Sequence, residues 1–161
     1  MEKWTELLKE NNYLGVKHYL KNGGNPNEAE ENGESVLCFA LRYQCDQEII
    51  DILIESGADL FHIDHEGVSV FDVAVTYNNL AVIERLIEKG FDVHTATRRS
   101  GFTPLMGAVC YGRQEVIKKL LALGVDIEAR DAHGLSAIDF ARKMHKKSIL
   151  DLLQGKRDGT S

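Results

Sequence analysis

Gly101-Phe102-Thr103-Pro104-Leu105-Met106-Gly107-Ala108 decides how this chain folds. Gly101 can take the positive φ that a tight turn demands. Thr103 offers an oxygen to cap a helix, and Pro104 suits the first helical position, where its missing N–H costs nothing. Leu105, Ala108 and Val109 recur at helical spacing, and Gly112 breaks the helix. A second helix follows, with Val116, Ile117, Leu120 and Leu121 on one face. Gly124 stands where a left-handed residue closes a helix. Val125-Asp126-Ile127 then leads out as a short extended arm. The stretch from Arg98 to Arg130 therefore reads turn, helix, turn, helix, arm.

The same parts return along the chain. Gly33, Gly67, Gly101 and Gly134 stand 34, 34 and 33 residues apart, and a hydroxyl follows each two residues later, at Ser35, Ser69, Thr103 and Ser136. An alanine comes five residues after each hydroxyl: Ala40, Ala74, Ala108 and Ala141. A second glycine series, Gly23, Gly57, Gly90 and Gly124, keeps step at 34, 33 and 34. Apolar second helices recur at Ile49-Ile50 with Ile52-Leu53-Ile54, at Val82-Ile83 with Leu86-Ile87, and at Ile149-Leu150 with Leu152-Leu153. A single hydrophobic core has no need of such a register. A stack of like units does, because each buries its apolar face only against its neighbours. The small alanine lets first helices approach closely. The fold class is an all-α repeat solenoid of helix-turn-helix units with short hairpin-like arms, which narrows the function to binding.

Composition narrows it further. The net charge is −6, from 19 Lys+Arg against 25 Asp+Glu, which argues against a phosphate backbone as target. No apolar run reaches the roughly 18 residues of a membrane span. The opening Met1-Glu2-Lys3-Trp4-Thr5-Glu6 lacks a signal peptide's apolar segment. Cys38, Cys45 and Cys110 are odd in number and lack metal-type spacing, so a reduced, cytoplasmic chain is expected.

These residues resemble the ankyrin repeat. Gly101-x-Thr103-Pro104-Leu105-x-x-Ala108 is similar to its G-x-T-P-L-x-x-A signature. Ser56-Gly57-Ala58-Asp59-Leu60 and Leu123-Gly124-Val125-Asp126-Ile127 resemble its G-A-D-V ending. The resemblance covers roughly residues 3 to 153 and implies one domain of about five units. These are an N-terminal cap (1–29), then 30–63, 64–97, 98–130 and a C-terminal cap (131–153), with a polar, flexible tail over 154–161. One extra residue fits near Cys45–Asp46 and another near Thr97–Arg98, both in expected loops. The family's histidine after the leucine is replaced by Cys38, Asp72, Met106 and Asp139. In the family it helps tie adjacent units, so the resemblance implies looser coupling here. Asp72 and Asp139 fall in a first helical turn, where the helix dipole favours a carboxylate.

No convergent catalytic site emerges, and the chain is not expected to be an enzyme. The densest run of potential ligands is His62-Ile63-Asp64-His65-Glu66. On a turn tip these read as solvated residues, and neither a metal nor a cofactor is expected. His94 and His133 also fall on arms or tips. An alternative from another class is therefore a small metal- or haem-binding carrier or sensor that uses tip histidines. Cys38 and Cys110 read as packing or face residues of first helices, since no base stands near them to activate a thiolate.

The resemblance implies binding through turn tips and inner helices, which line a concave side. One face position reads Tyr43, Tyr77, Tyr111 and Met144, and another, just after the turn glycine, reads Glu34, Val68, Phe102 and Leu135. Apolar residues where solvent is expected hint at an interface, and tyrosine and arginine are frequent anchors. The other reading is that the tyrosines pad the junction between the two helices. The protein-binding face is thus expected at Tyr43, Val68, Tyr77, Arg99, Phe102, Tyr111 and Leu135. Charge is also polarised. Glu28, Glu30, Glu31 and Glu34 crowd one end, while Arg142, Lys143, Lys146, Lys147, Lys156 and Arg157 crowd the other. These read either as solvated ends or as a device that aligns a partner by complementary charge. The expectation is a monomeric, non-enzymatic adaptor, inhibitor or accessory subunit for a protein partner.

Overall fold

The computed structural model describes residues 1–155. Among them it holds ten helices: α1 (Glu2–Lys9), α2 (Tyr13–Lys21), α3 (Val36–Arg42), α4 (Gln47–Glu55), α5 (Val70–Thr76), α6 (Leu80–Glu88), α7 (Pro104–Cys110), α8 (Gln114–Ala122), α9 (Ala137–Lys143) and α10 (Lys147–Leu153). Helices of seven to nine residues recur as pairs, the signature of an all-α repeat solenoid. The chain forms two compact units, Met1–Asn79 and the part from Leu80 onward.

In the first unit α3 packs against α1, α4 and α5, and α2 packs against α4. Their shared interior is Leu8, Val16, Leu37, Leu41, Ile49, Ile50, Leu53 and Phe71, all essentially buried. Burial of each such side chain is worth about 1.5–3 kcal/mol. Trp4 is fully buried. Its Nε1 donates to the Asn25 carbonyl at 2.9 Å, and its ring meets Tyr19 edge-on at 4.8 Å. In the second unit α7 packs against α8 and α9, and α10 against α8 and α9. Ile83, Leu86, Leu105, Met106, Val116, Ile117 and Leu120 fill that interior.

The residues of the repeat do the work their chemistry suggests. Ala40, Ala74, Ala108 and Ala141 are each 0% exposed, so the alanine series marks where first helices are covered. Ser35, Ser69, Thr103 and Ser136 cap α3, α5, α7 and α9, their hydroxyls accepting from the N–H groups of Cys38, Asp72, Met106 and Asp139 at 3.0–3.3 Å. Asp72 and Asp139 complete capping boxes by accepting from the N–H of Ser69 and Ser136 at 3.0 and 2.9 Å. At the family's histidine position these chains thus satisfy a local helix end. Gly101 and Gly124 take φ of 73° and 81°, the left-handed conformation expected of both.

The two extra residues fall where the register placed them. Residues 43–46 join α3 to α4, whereas 111–113 and 144–146 join later pairs with one residue fewer. Likewise 89–103 joins α6 to α7, one residue longer than 56–69 or 123–136.

Candidate protein-binding surface

Two positions per repeat build the surface, and the helix ends aim them. Tyr43, Tyr77, Tyr111 and Met144 are the C-cap residues of α3, α5, α7 and α9. There the backbone leaves the helix and the side chain escapes the interior. Tyr43 is 40% exposed, Tyr111 50% and Met144 40%, while Tyr77 is half-buried. The following residue in each loop has a left-handed backbone: Gln44, Asn78, Gly112 and His145, with φ between 51° and 69°. That reversal fixes the direction of the side chain before it.

In the first unit Tyr43 is held in an ordered cluster. Its ring stacks on Phe39 with centroids 4.6 Å apart and planes 15° apart. The Arg42 guanidinium lies 4.9 Å from the Phe39 ring and 5.0 Å from Tyr43. The Lys9 ammonium lies 5.8 Å from the Tyr43 ring. Glu34 grips Arg42 with both carboxylate oxygens, accepting from Nε at 2.7 Å and Nη2 at 2.9 Å. This contact raises the Arg42 pKa above its usual value.

The turn tips are shaped by carboxylates. Asp64 Oδ1 accepts from the N–H groups of Glu66 and Val68, each at 2.9 Å. In the second unit Asp131 Oδ1 does the same for His133 and Leu135, again at 2.9 Å. Val68 and Leu135 are half-buried. The tip at 98–103 differs, for Arg98 stands where its neighbours have Asp64 and Asp131. Among the described residues no β-bridge closes it, unlike the tips paired through Ile63 and Ser69 or Arg130 and Ser136. The N–H of Phe102 meets Ser100 Oγ at 3.4 Å. Arg98 lies 5.0 Å over the Phe102 ring, which also meets Phe140 edge-on at 5.4 Å. Arg99 is exposed at the tip. The position after the turn glycine was expected to face solvent. Val68, Phe102 and Leu135 are instead half-buried, and for Phe102 the reason is its packing against Phe140.

Other groups singled out in the sequence have structural roles. His62 is half-buried with Nε2 2.6 Å from the Gly33 carbonyl, and Asp64 is committed to its own turn. Among the described residues no three His, Cys, Asp or Glu side chains are grouped to hold a metal ion. Burial pushes the Cys38 and Cys45 thiols up to about 11 and raises Cys110 as well. Part of the acidic crowd is neutralised at home, since Glu28 pairs with the Met1 amino group at 2.7 Å and Glu34 with Arg42. At the basic end Lys156 and Arg157, like most of the expected tail, lie outside the described residues. The clusters at Arg42 and Arg98 were not anticipated. Their only sequence signal was a cation within reach of an aromatic, which is too common to single out. Among the described residues no helix is long and apolar enough to cross a membrane.

Paired short helices capped by a hydroxyl, crossed by a tip and closed by a left-handed glycine define a repeat protein built for interaction. The chain belongs to the ankyrin-repeat family. The family model for ankyrin repeats in three copies matches residues 7–97, and that for many copies matches residues 93–141. The ankyrin repeat is a non-catalytic fold for protein–protein interaction. Among relatives, the chain is 26% identical over 129 residues to the B-cell lymphoma 3 protein homolog of Mus musculus, covering 78% of this chain and 29% of that protein. It is 30% identical over 139 residues to alpha-latrotoxin-Lg1a of Latrodectus geometricus, covering 85% of this chain and 10% of the toxin. It is 30% identical over 107 residues to the E3 ubiquitin-protein ligase hecd-1 of Caenorhabditis elegans, covering 66% of this chain and 4% of the ligase. The matches thus span only a minor part of each relative, and the ligase activity in the last name belongs to that protein.

Proposed function

We propose that this chain is a non-enzymatic adaptor, inhibitor or accessory subunit that grips a protein partner with inner-helix ends and turn tips. In the first unit the gripping residues are Tyr43, Val68 and Tyr77. In the second they are Arg99, Phe102, Tyr111 and Leu135. The proposal takes the repeats as 30–63, 64–97 and 98–130 between caps at 1–29 and 131–153, each presenting the same two positions.

The observation that carries this reading is the aromatic C-cap. The tyrosine rings at Tyr43 and Tyr111 stay 40–50% exposed. They offer a partner a large amphipathic surface at low entropic cost. At Tyr43 the stacking of Phe39 and Arg42 holds the ring in place beforehand, which spares part of the ordering cost of binding.

Capture from source-cell lysate, followed by partner identification and an affinity measurement, tests the reading. Tyr43→Ala with Tyr111→Ala should lose the partner and keep the fold, at a stability cost of no more than about 2 kcal/mol, since Tyr43 also gives up its ring contacts with Phe39 and Arg42. Truncating a true anchor costs about 2 kcal/mol or more of binding. Unchanged affinity in a folded double variant would overturn the assignment.

A further inference from the structure

The junction of α9 and α10 forms an open pocket of about 300 Å³, lined by Ala141, Arg142, His145, Lys146, Lys147 and Leu150. Its lining is unlike the rest of the molecule. The chain carries a net charge of −6, yet no acidic residue occurs from Arg142 to Leu150. Arg142, Lys143 and Lys147 are exposed and make no ion pair among the described residues. The nearest acid before them on α9, Asp139, is committed to the Ser136 N–H at 2.9 Å and to Arg130 at 3.4 Å, although it also feels the charge of Arg142. Asp151, further along α10, is half-buried. Lys146 has a different job. Its ammonium donates to the Cys110 carbonyl at 3.2 Å and ties this junction to the C-terminal end of α7, where the loop to α8 begins. The same loop region carries the exposed Tyr111, and Met144 is exposed at the end of α9. The half-buried Leu150 thus lies beside uncommitted cations, with the exposed apolar side chains of Tyr111 and Met144 nearby.

We propose that this junction docks an acidic segment of a protein partner. The proposal rests on the interaction-module reading above and adds a place and a chemistry to it. A carboxylate pairs with the Arg142 guanidinium, which can receive it through two parallel hydrogen bonds, and a second reaches Lys147. An apolar side chain of the same segment settles on Leu150. A polynucleotide or an anionic membrane fits less well. Either would extend past the cationic patch that the described residues form at the α9–α10 turn and meet the net negative remainder of the chain.

The test uses a synthetic peptide alternating Glu and Leu, with a Lys/Leu peptide as control, titrated into ¹⁵N-labelled protein. The Glu/Leu peptide should shift amide signals within residues 141–150, and the control should not. Raising the salt concentration should weaken it, since the pairs are exposed. Arg142→Glu with Lys147→Glu should weaken binding at least about tenfold, the scale of a close interfacial charge pair. Should that variant misfold by circular dichroism, Arg142→Gln with Lys147→Gln should still weaken the peptide measurably. Shifts that fall elsewhere, or an affinity unchanged in a folded variant, would overturn the proposal. So would tighter binding of a DNA 12-mer or of phosphatidylserine vesicles to the same amides. A silent peptide alongside a captured partner that Tyr43→Ala and Tyr111→Ala abolish would remove this site alone and leave the module reading standing.

Discussion

Arg42 and Glu34 form a two-pronged pair, Nε to Oε2 at 2.7 Å and Nη2 to Oε1 at 2.9 Å, and the guanidinium so fixed lies across the Phe39 and Tyr43 rings. Glu34 belongs to the tip and Arg42 to the end of α3, so the pair spans both positions of one repeat.

Breaking this pair should disturb order more than stability. Arg42 is 41% exposed, and exposed ion pairs contribute about 0–1 kcal/mol. Glu34→Gln should therefore lower stability by less than about 1 kcal/mol. The Tyr43 ring signals should nonetheless lose their dispersion, because the group pinning the guanidinium is weakened. A change above about 2 kcal/mol in urea unfolding would contradict this account.

Asp139 should govern part of the acid sensitivity. Hydrogen bonds from Ser136, with smaller help from Arg130 and Arg142, hold its carboxyl below the ordinary value of 3.8. A depressed pKa means that the ionised form is preferred in the fold. Its contribution is therefore full above the unfolded value and is lost as pH falls through the folded one. Asp139→Asn should lower the melting temperature above about pH 5, where the carboxylate's contribution is full, and should flatten the loss below about pH 4, where the two proteins converge. An acid limb identical to wild type would show that the capping carboxylate carries none of it.

The thiols should react in a fixed order. Cys38 and Cys45 are buried with pKa values pushed up to about 11, so at pH 8 almost none is thiolate. Cys110, less buried, should react first with a disulfide reagent. Cys38 and Cys45 should follow only on unfolding. Rapid labelling of Cys38 in the native protein would show that α3 opens far more readily than its burial implies.

Much of this architecture could be read from the residues because repetition multiplies weak signals. One Ser or one Ala says little, but Ser69 with Ala74, repeated at Ser136 with Ala141, fixes caps and covered faces together. The insertions were legible for the same reason, as breaks in a register. The Arg98 tip was not. A departure at one repeat has no echo, and the stacking of Arg98 on Phe102 depends on side-chain directions that spacing does not set. Left-handed residues were legible only where they were glycine. Gln44 and His145 adopt φ of 51° and 53° because the inner loop requires it, against their own preference.

The alanine series invites a packing test. Ala108 has no exposed surface, and α7 lies against both α8 and α9. Ala108→Leu would force in three further carbons, an overpacking that typically costs about 1–3 kcal/mol. Ala108→Ser should be milder in volume. Equal stability of the leucine variant and wild type would mean that the helices can part at no cost, against the close-approach reading of the series.

The last prediction sets Gln44 against Gly124. Both lie in the left-handed region, at φ of 51° and 81°. Glycine enters that region without strain, whereas a residue with a Cβ does not. At Gly124 an added Cβ would meet nothing within 4 Å, so the strain there comes from the backbone conformation. Gly124→Val should cost about 1–3 kcal/mol. Gly101→Val should cost at least as much, since its Cβ would also come 3.3 Å from the Ala132 nitrogen. Gln44→Gly removes a strain of the same kind and should stabilise the fold by about 0.5–1 kcal/mol, less whatever freedom glycine adds to the unfolded chain. Urea unfolding of the three variants decides the matter. The account requires opposite signs at Gln44 and Gly124, so a loss at both would show that the Gln44 side chain contributes more to the loop than its backbone conformation costs.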